Sequence, residues 1–194
     1  MNGRGNELAA LNPDRLRPVL KDAVRGTFRD LKSRYPDERF YAFALYTAGE
    51  AEYVLPTANT EEGLRRRAEG YVRRGYAPPE TGAASLRWNP ADWAYHLEGD
   101  EPYFGEVERL LMQAPEPHDL EGDTYRARVD GVFETCLAAL EELDAEGLFG
   151  RGEERQAIVI NLLKGDQSNE EMLECAKRLN PRAAYARFAA ELPG

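Results

Sequence analysis

"FYAFALYTAGEAEYVLP", residues 40–56, is the stretch on which the fold turns. Residues 40–46 are short, apolar and rich in aromatics, the pattern of a buried strand. "TAGE" then reads as a turn, with Gly49 free to take a positive φ. "AEYVLP", 51–56, returns as a second strand, ended by Pro56. Together the two predict an antiparallel hairpin.

The flanking sequence supplies helices. Leu16, Val19, Leu20, Ala23, Val24, Thr27, Phe28 and Leu31 recur in steps of three and four, one face of an amphipathic helix. Asn12-Pro13-Asp14 provides its cap and first turn. Asn59, three residues before Glu62, predicts a capping box and a helix to about Arg74, with Gly75 as C-cap and Pro78-Pro79 as a stop. "SLRW", 85–88, reads as a third strand. Asn89-Pro90-Ala91-Asp92 reads as a strong helix start. Beyond an acidic, Pro-rich linker (113–123), a long helix spans Tyr125 to about Gly147. "QAIVINLL", 156–163, is the most strand-like segment of the second half. Ser168 with Glu171 forms a second capping box for a helix to Leu179, and Asn180-Pro181 opens the last helix.

The order α-β-β-α-β-α-α-β-α-α lacks regular βα alternation. It predicts an α+β fold: a small, mainly antiparallel sheet (hairpin 40–56, strands near 85–88 and 156–163) packed with several helices. Residues 1–10 read as a disordered leader and 11–194 as a single domain.

The bulk numbers narrow the class. A chain of 194 residues, 42% hydrophobic, is long enough to bury a core without disulfides or metals. No apolar run is long enough to span a membrane and no secretory signal is visible, so a cytoplasmic protein is expected. Cys136 and Cys175 lie on apolar helix positions and are expected as reduced thiols. Net charge is −10, and residues 98–146 hold 15 acids against 3 arginines. Such a field repels phosphate backbones, so no nucleic acid is expected, and it attracts basic proteins. Arg65, Arg66, Arg67, Arg73 and Arg74 form the opposing basic patch, expected to face the acidic half of this chain or of a second copy.

Motifs for chemistry are scarce. There is no HExxH, GxSxG, Walker loop or GxGxxG, and the two histidines, His96 and His118, lack ligand spacing. Neither a metal nor a cofactor is expected, and no catalytic residue is assigned. Asp166, Asn169 and Glu170 sit where a strand gives way to a helix, and read as a turn with a Ser cap. Two candidate sites remain. One is an aromatic cleft around Arg87, Trp88, Asp92, Trp93 and His96, which would take a small ligand or substrate. The other is the acidic region, where Glu106, Glu108 and Glu121 would steer a basic protein and Tyr103 and Phe104 would anchor it.

"FYAFALYT", "PTANTEEGL", "LRWNPADWAYH" and "GDQSNEEMLECAKRLNP", in that order, resemble a bacterial family of unknown function, the domain of unknown function 4303. The resemblance covers about residues 12–190, with Asn59–Gly63 and Arg87–Trp93 as its markers. It implies a stand-alone cytoplasmic bacterial protein and supplies no activity. The leading expectation is a non-enzymatic interaction protein using its acidic face, by class analogy a toxin antidote. The competing one is a ligand-binding protein or enzyme using the aromatic cleft. A flat acidic surface favours the first, and a concave pocket with convergent polar groups the second.

Overall fold

A computed structural model describes residues 11–76, 82–165 and 167–192. The predicted leader therefore lies outside the described residues, as do Pro78-Pro79 and Asp166. The elements are α1 (Pro13–Arg34), β1 (Phe40–Thr47), β2 (Leu55–Thr60), α2 (Glu61–Arg73), α3 (Gly82–Leu86), β3 (Tyr95–His96), α4 (Gly105–Met112), α5 (Gly122–Glu146), α6 (Gly152–Ala157), β4 (Val159–Lys164), α7 (Asn169–Leu179) and α8 (Arg182–Glu191). The fold is α+β. Its four strands lie in the order β3-β2-β1-β4.

Two of the three pairings are antiparallel. The third, β1 with β4, is parallel, so the sheet is mixed. The parallel pairing needs a long crossover between its strands. Everything from β2 to α6 is that crossover.

Each face of the sheet is covered. On one, Phe43, Leu45, Ile160 and Leu162 belong to the main core with Leu20, Val24 and Phe28 of α1 and Val132, Leu140 and Leu143 of α5. Phe28 is its aromatic centre, meeting Phe40, Phe43 and Phe149 edge-on at 5.0–5.8 Å. The other face is flatter, because β1 presents Ala42 and Ala44 there. Trp88, Trp93, Ala176 and Phe188 fill the space that those small residues leave.

Three strand assignments change. The second strand begins at Leu55, not at residue 51. Ala51 takes a left-handed φ of 55° and is fully buried, and the Thr47 hydroxyl donates to the Tyr53 carbonyl, so 48–54 is a tethered loop. Pro56 does not end this strand. It lies opposite Leu45 near the strand's start, where a missing N–H is tolerated. "SLRW" is not a strand either: its first residues belong to α3, and the sheet's third strand is Tyr95–His96, paired with Ala58 and Thr57. The fourth strand begins at Val159, with 156–157 ending α6.

Two caps change with them. Asn59 lies inside β2, opposite Ala42, and Thr60 caps α2 by accepting from Gly63 N at 2.8 Å. Asn89-Pro90-Ala91-Asp92 makes one 3-10 turn only. The Asn89 amide donates to Asp92 at 2.6 Å instead of capping a longer helix, and Trp93 is already extended (φ −66°, ψ 144°).

The Asn12 cap of α1 and the Ser168–Glu171 capping box of α7 form as the sequence predicts. Lys164, followed by the Ser168 N–H and hydroxyl, holds the Glu171 carboxyl at about 2, from an ordinary 4.5. A depressed carboxyl stabilises the fold above its unfolded value and loses that contribution as the pH falls toward the folded one. Glu171→Gln should therefore lose less stability than wild type between pH 4.5 and 2. Urea titrations across that range check it, and parallel curves would refute it.

Candidate functional site

The carboxyl ends of the parallel strands, Thr47 and Lys164, lie side by side, tied by Gly165 N donating to Thr47 O at 3.1 Å. Strand ends of this kind are where open sheets carry ligand sites. A cavity of about 340 Å³ lies here on the flatter sheet face. Tyr46 ends β1, Leu163 and Gly165 come from β4 and the turn after it, and Met172 comes from α7. Trp88, Asn89 and Pro90 form the opposite wall, with Leu192 near the end of α8. The lining mixes aromatic and apolar surface with hydroxyl and amide groups from Ser85, Asn89, Gln167 and Asn169.

Trp88 is the best-placed member. Its ring is wedged edge-on between Tyr41 at 5.3 Å and Phe188 at 4.8 Å, which fixes its orientation. It is 6% exposed, and its buried indole N–H has no acceptor among the described residues. Behind it, a void of about 10 Å³ between Trp88, Trp93 and Phe188 is large enough for about one water.

The other four cleft candidates are scaffold or neighbours. Arg87 grips both oxygens of Glu61 and reaches Glu191 at 2.9 Å, while its guanidinium stacks over Tyr41 at 4.3 Å. Glu61 thereby sits below the usual carboxylate range, chiefly through its Arg87 hydrogen bonds, which offset its burial. Asp92 accepts from the Tyr71 hydroxyl and from Asn89. Trp93 is buried and donates to Arg87 O at 2.9 Å. His96 lies on the far side of Tyr46, 5.3 Å from its ring, with Nδ1 3.2 Å from the Thr57 hydroxyl. Burial and then Arg67 lower its pKa, so the imidazole is neutral at physiological pH.

A buried polar network supports the cleft wall. Asn59 donates to the Tyr41 hydroxyl at 2.8 Å and accepts from Thr60 N and Ala94 N, and Tyr41 donates to Arg87 O. One fully buried amide thus joins β1, β2 and the tryptophan segment.

In the acidic region, Phe104 is core (1% exposed) and Tyr103 packs on α1 at Gly26, where a Cβ would strike its ring. Glu106 pairs with Arg109, while Glu108 and Glu121 face solvent. Much of the rest is neutralised from within. Lys21 holds Glu142 at 2.6 Å and Glu146 at 2.8 Å, Arg25 holds Glu146 at 2.8 Å, and Arg178 holds Glu134 and Glu141 at 2.8 Å each. These cations come from α1 and α7. Within the chain, three of the α2 arginines do not face the acidic half: Arg65 and Arg66 pair with Glu62 and Glu38, and Arg67 donates to Asp92 O.

Among the described residues, no group of three or more His, Cys, Asp or Glu side chains is placed to hold a metal ion, and no helix is long and apolar enough to cross a membrane. Burial pushes the Cys136 thiol up to about 12 and raises that of Cys175, so neither thiol is an activated nucleophile.

Of the cleft residues, Arg87, Trp88, Asp92, Trp93 and His96 are all marked by the sequence; only Trp88 lines the cavity. Met172, Gln167 and Leu192 carry no mark of their own. The one signal for Gln167 and Met172 is position, since the strand-to-helix junction after Leu163 is a place where sites occur.

A mixed four-stranded sheet, covered by helices on both faces and open at the end of its parallel pair, defines an α+β protein with a small-molecule-sized cleft. The chain belongs to the family of the Domain of unknown function (DUF4303), whose model matches residues 20–181. Neither a curated protein nor a solved structure matches it.

Proposed function

We propose that this protein binds a small organic molecule in the cleft at the carboxyl ends of β1 and β4. The observation that carries the reading is the cavity of about 340 Å³ at these strand ends, with the fixed ring of Trp88 in its wall. A cavity of that size, with polar and apolar lining in similar measure, suits a compact ligand. The ligand chemistry that fits is a flat or aliphatic body against Trp88, Pro90 and Met172, bearing hydrogen-bonding groups for Asn89, Lys164 and Gln167. The acidic docking face has less support. Its anchor Phe104 is inside the core, and Glu134, Glu141, Glu142 and Glu146 of α5 already have cationic partners.

The experiment is to extract the natively purified protein and identify released small molecules by mass spectrometry, beside a cavity-filling variant. Ala91 is exposed on the cavity rim, so Ala91→Trp fills the cleft without touching the core. Wild type should release a molecule that the variant does not, and adding it back should change the fluorescence of wild type but not of Trp88→Phe. If nothing is released, and no compound of a metabolite panel stabilises wild type more than Ala91→Trp, the reading fails.

A further inference from the structure

Three arginines of this chain are largely withdrawn from water, and two of them are fully employed. Arg87 is paired with Glu61 and Glu191. Arg155, 6% exposed, holds Asp144 and donates to the carbonyls of Ile158 and Leu179. Arg128 is the exception. It lies on the second turn of α5, a helix that packs against the 3-10 turn Pro117–Asp119. It is 7% exposed, beside the buried Val129 and Val132. Its Nε and one terminal nitrogen, Nη1, are sealed from solvent and have no hydrogen-bond partner among the described residues.

A guanidinium stays protonated in proteins, so Arg128 does not escape its burial by losing the charge. An unpaired buried charge is among the most unfavourable features a core can hold, and a methionine of similar reach would fill the same space at no such cost. The nearest acid that acts on it, Glu116, is exposed and makes neither a hydrogen bond nor an ion pair with it. The second terminal nitrogen, Nη2, is not among the sealed atoms. It shares one planar fork with Nε and another with Nη1, so an anion held at Nη2 needs only a small turn of the guanidinium to engage a second nitrogen. That bidentate geometry is the one in which guanidinium recognises carboxylates and phosphates.

We propose that Arg128 is the receptor of a second binding site, for a small oxyanion of the carboxylate or phosphate type. The site lies on the helix that covers the opposite sheet face from the cleft, so the two readings stand or fall separately.

The test is the melting temperature of the full chain in sodium acetate and sodium phosphate, each titrated against sodium chloride at constant ionic strength. Excluded salts stabilise proteins generally but without saturating, so the diagnostic is a saturating rise. Wild type should show one with acetate, phosphate or both, and which of them acts identifies the class. Arg128→Met should abolish the rise and, in chloride, melt no lower than wild type. Arg128→Lys keeps the charge without the fork and should bind at least about tenfold more weakly. It also serves as the test variant if the Met protein fails to fold. Glu116→Gln should leave the rise in place. No saturating rise in wild type overturns the proposal, as does an equal rise in Arg128→Met or Arg128→Lys. So does a chloride-buffer double-mutant cycle in which Arg128 and Glu116 prove strongly coupled, since Glu116 would then be the missing anion.

Discussion

Trp93→Ala is expected to cost about 3–5 kcal/mol, the range for deleting a large buried aromatic, and to lower the melting temperature by roughly 10 °C in a chain of this size. Three consequences add up at this site. Trp93 is 3% exposed and packs with Trp88, Val159 and Phe188 against the flat patch of Ala42 and Ala44, so its removal leaves a cavity at that patch. Its indole donates to Arg87 O, the same carbonyl that receives the Tyr41 hydroxyl, so the loss reaches the Asn59 network. Its extended backbone also turns the chain into β3. Urea unfolding followed by circular dichroism measures the effect. A variant melting within a degree or two of wild type would mean that Trp93 is not core.

Arg155→Ala is expected to be of similar size, about 3–5 kcal/mol, the usual cost of breaking a buried ion pair from one side. The guanidinium holds Asp144 of α5, the Ile158 carbonyl before β4 and the Leu179 carbonyl at the end of α7. Its removal leaves Asp144 without its counter-ion and two carbonyls without donors. Asp144→Asn alone should cost less, because Asp144 is a quarter exposed and regains water. The double variant should be less unstable than the sum of the two singles, and strict additivity would show that the pair is not coupled.

Legibility in the sequence followed the range of the interactions. The α1 stripe and the Ser168–Glu171 box are local, and both form as read. Asn89-Pro90-Ala91-Asp92 fails as a helix start because its outcome is tertiary: Trp93 is drawn to the sheet face and Tyr95 to β2, and the helix stops after one turn. Asn59 fails as a cap for a similar reason. Its side chain is recruited by Tyr41 and Ala94, and the neighbouring Thr60 takes the capping role. The direction of β4 has no local signature at all, since its alternation of side chains is the same in a parallel or an antiparallel pair. The cleft inherits that blindness, because it exists only where the ends of β1 and β4 coincide. The tryptophan box is visible as a box, but which of its residues faces a cavity depends on elements that arrive from α7 and α8.

The parallel β1–β4 pair also constrains how the chain is made. When β1 and β2 leave the ribosome, one edge of β1 has no partner, and the strand that will cover it is encoded more than a hundred residues further on. Until then the nascent chain carries a bare, aromatic-rich strand edge, a template for pairing with other chains. Pairing so distant in sequence closes slowly. Synthesis halted before residue 159 should thus yield a hairpin that seeks chaperones or aggregates, and the sheet should reach its native order only once β4 has been made.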